Sequence, residues 1–372
     1  MITRIPNNVV AFAGEKIDIY KQFKDYFNHY HDKNGSRKGL YSETNSEGKI
    51  VSLSDKEERI NKAVMEEIAR MANLPTVEGI APEVLATHPS YAWATFAVIG
   101  AMVDTILPDA LIDSIGLYTD VRVAGYGNSL SFDIKPRDLF VVSKGSKNKR
   151  YGEVHKQFNG QVTLAPEFHD ITVQVSLYNV LAGKENLAEF AMKAAKSLEA
   201  QMTIDAFTAF NTAMGALDNA GDDALRFSGY SQSTLVELAQ KVTAWNGGNK
   251  AVIVGTQLAA QNVLPEDANY RYEIDSEFVK IGYIKTAFNY DVMVLPQVAD
   301  YRTPFKLALD DTKLYVLSPS ANKIIKMGLG GATISITNGV YDNANLSQNT
   351  TMKKEWATAV ATNAVAGVIE LS

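Results

Sequence analysis

Cysteine is absent from this sequence of 372 residues. Disulfide bonds and thiolate metal sites are therefore excluded, and a reducing compartment suits such a chain. Basic residues do not predominate, because 36 Lys and Arg stand against 42 Asp and Glu, with a formal net charge of −6. A protein that coats itself in nucleic acid is usually strongly basic, so the composition disfavours that class.

The sequence shows no signal for export or membrane insertion. Its first twenty residues have no basic region followed by a long apolar run, so we expect no signal peptide. Because the sequence starts at Met1, we expect the mature chain to keep its N-terminus. The most apolar stretch, residues 91–107, is interrupted by Asp104 and ended by Pro108. It predicts a buried helix that is too short and too mixed to cross a bilayer.

Common enzyme signatures are also lacking: G-x-x-x-x-G-K-[ST], G-x-S-x-G and H-E-x-x-H do not occur. The glycine clusters at residues 125–127 and 328–331 are interpreted as turns rather than phosphate-binding loops. His29 and His31 are two positions apart, so on a helix they point to different faces and do not favour a metal pair. We therefore expect no catalytic residues, no cofactor and no metal site.

The most prominent feature that is present is an amphipathic helix at residues 186–215. Apolar residues recur there at three- and four-residue steps, without proline or internal glycine. Asn186 with Glu189 resembles a capping box, and Gly215 suits a helix end. About 28 residues at about 1.5 Å each give a rod of about 42 Å. We interpret this long helix as the element against which strands pack.

Two shorter helices are predicted in the N-terminal part. Residues 16–31 carry aromatic and aliphatic residues at helical spacing, and a capping box at Ser54 and Glu57 opens a second helix that ends before Pro75. The polar stretch 32–52 between them predicts a connection. We interpret this region as an arm that bears two helices and has little core of its own.

A long β-hairpin is predicted for residues 119–165. Its extended segments flank a polar tip, SKGSKNKRYG, at residues 143–152. The basic residues of the tip and its neighbourhood are Lys135, Arg137, Lys144, Lys147, Lys149 and Arg150. A solvated tip and a nucleic-acid contact are both open interpretations, although the net charge disfavours the second. The alternating segment 169–177 then leads into the long helix.

The C-terminal half predicts a compact α+β domain. A helix at 234–245 and a short helix near 256–263 flank a buried strand at 250–254. Short strands are predicted at 291–295, 305–309, 314–317, 324–327 and 332–337, and one extended segment at 353–371.

This order of elements resembles the major capsid protein of tailed bacteriophages, the Hong Kong 97-like fold. Three stretches carry the resemblance: the strand-into-helix run at 165–214, IGYIKTAFNYDVMVLP at 281–296, and KKEWATAVATNAVAGVIELS at 353–372. The resemblance implies an α+β fold with an N-terminal arm, an extended β-hairpin loop, a peripheral domain with a long spine helix, and an axial domain. The implied limits are 1–88 for the arm, 89–118 for the first peripheral part, 119–165 for the extended loop, 166–228 for the peripheral domain with spine helix 186–215, 229–338 for the axial domain and 339–372 for the final peripheral strand.

The function that the resemblance implies is a shell protein. Copies would assemble as hexamers and pentamers into the icosahedral head around double-stranded DNA, which they contact only non-specifically. The basic residues of the hairpin would pair with an acidic neighbouring subunit. Scaffolding, portal and cement proteins are candidate partners, no membrane is involved, and the location is the virion capsid, assembled in the bacterial cytoplasm. An encapsulin-like compartment and a soluble α+β enzyme or binding protein are the alternatives.

Overall fold

The computed structural model describes residues 17–33, 44–45, 47–73, 89–116, 118–125, 128–134, 160–176, 186–218, 224–264, 281–318, 323–337 and 347–371. The helices in these ranges are α1 (Ile17–Lys33), α2 (Leu53–Met71), α3 (Pro89–Ile115), α4 (Leu187–Gly215), α5 (Gln232–Trp245) and α6 (Gln257–Ala260). The strands are β1 (Thr119–Ala124), β2 (Leu130–Ile134), β3 (Gly160–Leu164), β4 (Glu167–Ser176), β5 (Arg226–Ser228), β6 (Val252–Thr256), β7 (Thr286–Ala287), β8 (Tyr290–Leu295), β9 (Lys313–Leu317), β10 (Ile325–Thr337), β11 (Ser347–Val360) and β12 (Gly367–Glu370). Helices pack against two sheets in which most neighbouring strands are antiparallel, so the predicted α+β class is confirmed.

The long helix α4 is confirmed to within one residue of its predicted start. Asn186 is the N-cap, because its Oδ1 accepts from the backbone N–H groups of Ala188 (3.0 Å) and Glu189 (3.2 Å). The reciprocal half of the predicted capping box is not formed, since the Glu189 carboxylate pairs with Lys193 at 2.7 Å instead. The apolar stripe of α4 is buried from Leu187 to Met214, which places this helix along the main core.

Replacing Asn186 by alanine is expected to lower the free energy of unfolding by about 1 kcal/mol. Ala188 N–H would keep Asn61 of α2 as an acceptor, at 3.1 Å, whereas Glu189 N–H would lose its side-chain acceptor and the Glu57 carboxylate would lose the bond from Asn186 Nδ2. Urea unfolding followed by circular dichroism measures the change. Asn186→Ser keeps a capping oxygen and should lose only a few tenths of a kcal/mol; an equal loss in both variants would contradict the capping role.

Helices α1 and α2 share the core of α3 and α4. Their buried side chains are Phe23, Tyr26 and Phe27 on α1 and Ile60, Val64 and Ile68 on α2. The predicted capping box at Ser54 and Glu57 is wrong: helix α2 begins at Leu53, and its N-cap is Ser52, whose hydroxyl accepts from the Asp55 N–H at 3.2 Å. The two helices thus have little core of their own, as expected, but in the described residues they do not form an arm that stands apart from the main core.

Helix α3 continues through Pro108 to Ile115, so the predicted end at Pro108 is wrong. A proline inside a helix removes one backbone hydrogen bond, and here buried side chains on both sides of it, such as Ile106 and Leu111, hold the helix in the core. The stretch Trp93–Leu111 is long and apolar enough to cross a membrane by length and composition. Most of it is buried inside the fold, which is the situation of a core helix.

The first sheet has the strand order β1-β10-β11-β4 and covers α3 and α4. Its inner face carries the buried side chains Met327, Leu329, Met352 and Trp356. The segments predicted as two strands at 324–327 and 332–337 form the single strand β10, whose register with β11 shifts between Gly330 and Ile334. The predicted turn at 328–331 is therefore wrong, because these glycines lie within a strand.

The second sheet has the order β5-β12-β9-β6-β8-β7, with α5 on one face. The predicted single segment at 353–371 is wrong, because the chain leaves the first sheet after Val360 and re-enters the second sheet as β12. The predicted strand at 305–309 is also absent: Leu307 forms only an isolated bridge with Ala299. The strand pairing therefore does not follow the expected domain limits. Strand β10 lies within 229–338 but belongs to the first sheet, and β12 lies within 339–372 but belongs to the second.

Candidate subunit-contact surfaces

The predicted contact residues Lys135, Arg137, Lys144, Lys147, Lys149 and Arg150 lie outside the described residues and stay predictions. The base of their hairpin is described. Strands β2 and β3 pair antiparallel, with Leu130 opposite Leu164 and Ile134 opposite Gly160. The two ends of the segment 135–159 are therefore held next to each other, at Ile134 and Gly160.

The hairpin base lies directly on the outer face of the first sheet. Gly328 makes room there for Leu130 of β2, and Gly330 makes room for Glu355 of β11 and for Pro166, which follows β3. A Cβ atom at Gly328 would come within 2.6 Å of Leu130 Cδ1. A Cβ atom at Gly330 would come within 2.8 Å of Glu355 Cβ and 3.3 Å of Pro166 Cβ. Glycine inside a strand often marks such close approach. Close packing therefore explains the glycine cluster at 328–331, which the sequence analysis interpreted as a turn.

Phe132 anchors the base of the hairpin to the sheet. Its ring is fully buried, with Arg122 Cζ 4.5 Å from the ring centroid and Lys326 Nζ at 5.9 Å. Arg122 also donates to the Ser131 carbonyl at 3.0 Å, and the Asp120 carboxylate lies 3.2 Å from Arg122 and 3.6 Å from Lys326. Burial lowers the pKa of Lys326, against the opposing effect of Asp120. The Phe132 ring thus contacts two cationic side chains, Arg122 and Lys326, and the Asp120 carboxylate partly neutralises their positive charge.

The exit from the hairpin is tied to the long helix by a stacked pair. The ring of His169 on β4 lies 3.6 Å from that of Trp356 on β11, with 9° between their planes. Trp356 Nε1 donates to Asp205 Oδ2 of α4 at 2.9 Å, and His169 Nε2 lies 3.8 Å from the same oxygen. The hairpin is therefore fixed at both ends of its base, by Phe132 on one side and by this pair on the other.

A buried charge network fixes the register shift in β10. The carboxylate of Asp104 on α3 accepts from the backbone N–H and the hydroxyl of Thr333, both at 2.7 Å, and from Lys354 Nζ at 2.7 Å. Lys354, which is 5% exposed, also donates to the Gly331 carbonyl at 2.7 Å. These bonds satisfy backbone groups that the shifted ladder leaves without a strand partner.

Comparison with known proteins decides what this arrangement is. No family model matches the sequence, and no curated protein matches it. Among solved structures, the capsid of a native GTA particle matches with a TM-score of 0.50 and 11% sequence identity, over 70% of this chain and 90% of that one. The chain has the Hong Kong 97-like fold.

Other solved capsids resemble this Hong Kong 97-like chain at lower scores. The mature capsid of bacteriophage PhiM1 has a TM-score of 0.43 and 10% identity, over 68% of this chain and 85% of that one. The virus-like particle from Pyrococcus furiosus has a TM-score of 0.40 and 11% identity, over 72% and 98%.

The Hong Kong 97-like sheet carries exposed apolar side chains beyond the hairpin base. Phe168 on β4 and Ile334 and Ile336 on β10 are exposed on its outer face, around a hydroxyl pair formed by Thr172 and Thr351 at 2.9 Å. Apolar patches on an outer surface often mark protein–protein contacts. The base of the hairpin, at Leu130, lies on this same face of the sheet.

A cleft of about 340 Å³ lies between α4 and the second sheet of the Hong Kong 97-like chain. At its wall, Asn211 Oδ1 accepts from the Tyr315 hydroxyl at 2.6 Å and from Lys313 Nζ at 3.2 Å. Burial raises the pKa of Tyr315, so its hydroxyl remains a donor at neutral pH. Among the described residues, no group of three or more metal-ligating side chains comes together. His29 and His169 belong to no such group.

Proposed function

We propose that this chain is the major capsid protein of a tailed bacteriophage. Many copies would form the icosahedral shell that encloses the double-stranded DNA genome. The observation that supports this function is the shared fold with the GTA capsid, which extends over 90% of that protein. The role is structural rather than catalytic, because the surfaces with evident chemistry serve to position a hairpin rather than to bind a small substrate.

The two sheets correspond to the domains of such a shell protein. The first sheet with α4 as spine helix would be the peripheral domain, and the second sheet with α5 the axial domain. Strand β10 then belongs to the peripheral domain and β12 to the axial domain, which revises the limits at residues 338 and 339. Residues 1–88 would supply the arm. The extended loop would begin after β1, which belongs to the first sheet, and would end at residue 165, so its expected start at residue 119 is also revised.

Assembly would use the hairpin as a bridge between subunits. Residues 135–159 contain seven Lys and Arg and two Asp and Glu, a formal charge of +5, which leaves −11 on the remainder of a chain whose total is −6. A positive hairpin that reaches over a negative neighbour gains electrostatic attraction at every copy of the shell. Pentamers and hexamers use the same surfaces in two ring sizes. Scaffolding, portal and cement proteins would be further partners, and the DNA would be contacted non-specifically.

Electron microscopy and light scattering of the purified protein test this function. We expect closed particles built of five- and six-membered rings, at neutral pH and rising protein concentration. A compact monomer that persists under all conditions of concentration, salt and crowding agent would contradict the proposal.

Replacing Lys147, Lys149 and Arg150 together by glutamate is expected to leave the subunit folded and to reduce particle yield and heat resistance. Each exposed ion pair contributes only about 0–1 kcal/mol, but the shell repeats it at every copy. The defect should be larger at low salt than at high salt, because counter-ions screen exposed charges. The glutamine triple variant separates loss of attraction from new repulsion and should show a weaker defect. Normal yield and heat resistance of the glutamate variant would make the tip a solvated turn.

A further inference from the structure

We draw no further inference here: the strongest candidate, the apolar patch of Phe168, Ile334 and Ile336 on the outer face of the first sheet, carries nothing, because no contact of the described residues shows what covers it.

Discussion

Replacing Asp104 by alanine is expected to lower the free energy of unfolding by about 3 kcal/mol, the lower end of the range for breaking a buried ion pair. Lys354 would remain buried with only the Gly331 carbonyl as acceptor, and the Thr333 N–H would lose its partner. The Asp104 side chain keeps partial exposure, which places the loss at the lower end of that range. Chemical unfolding followed by circular dichroism measures it.

Two further variants test the cause of this loss. Asp104→Asn keeps an acceptor for Thr333 and should lose less than the alanine variant. Asp104→Leu combined with Lys354→Met removes both charges and should recover a large part of the stability, because the desolvation of an unpaired ammonium is no longer required. A double variant as unstable as Asp104→Ala would show that packing, rather than the ion pair, holds the register shift.

Replacing Phe132 by alanine is expected to release the base of the hairpin from the first sheet. Truncation of a buried phenylalanine typically costs about 3–5 kcal/mol of stability. The pairing of β2 with β3 alone does not compensate for this loss, because an isolated two-stranded ribbon is at best marginally stable in water. We therefore expect loss of amide protection in β2 and β3, with the helical signal of the core unchanged, and loss of particle formation. Hydrogen exchange and electron microscopy measure the two effects.

The matched control for Phe132 is leucine at the same position. Phe132→Leu keeps most of the apolar contact but loses the ring that Arg122 and Lys326 face, so its loss should be about 1 kcal/mol. Protection in β2 and β3 should persist in this variant. Unchanged protection in Phe132→Ala would mean that the ribbon is held by other contacts and that the anchor is misassigned.

Elements with strong local signals could be predicted from the sequence. The stripe and N-cap of α4 lie within one stretch of chain, and the alternation of β4 shows directly which side chains face inward. The hairpin base followed from extended segments on either side of a polar tip. In these cases the residues that determine the structure are neighbours in sequence, so periodicity alone was sufficient.

Elements that depend on distant contacts could not be predicted. Pro108 is tolerated because the helix around it is buried, and the tail divides between two sheets because each half finds a different partner strand. Of the contact surface, the sequence suggested only the basic hairpin residues, which lie outside the described part of the chain. It missed the Asp104–Lys354 pair, whose members are 250 positions apart. Two signals were available: a carboxylate within an apolar run at Asp104, and glycines within a strand pattern at Gly328 and Gly330.

The position of β12 has a consequence for synthesis of the protein. Val368 pairs with Arg226 on one side and Tyr315 on the other, so the last strand described joins the edge strand β5 to the rest of the second sheet. At about 5–20 residues per second, the ribosome needs on the order of ten seconds to pass from β5 to β12. During that time the faces of α5 and β9 that pack on β12 remain open to water or to chaperones. Any contact between copies that requires the complete second sheet can form only after residue 370 has been made. Under the proposed function, chains growing on one messenger RNA would thus be kept from assembling with each other prematurely.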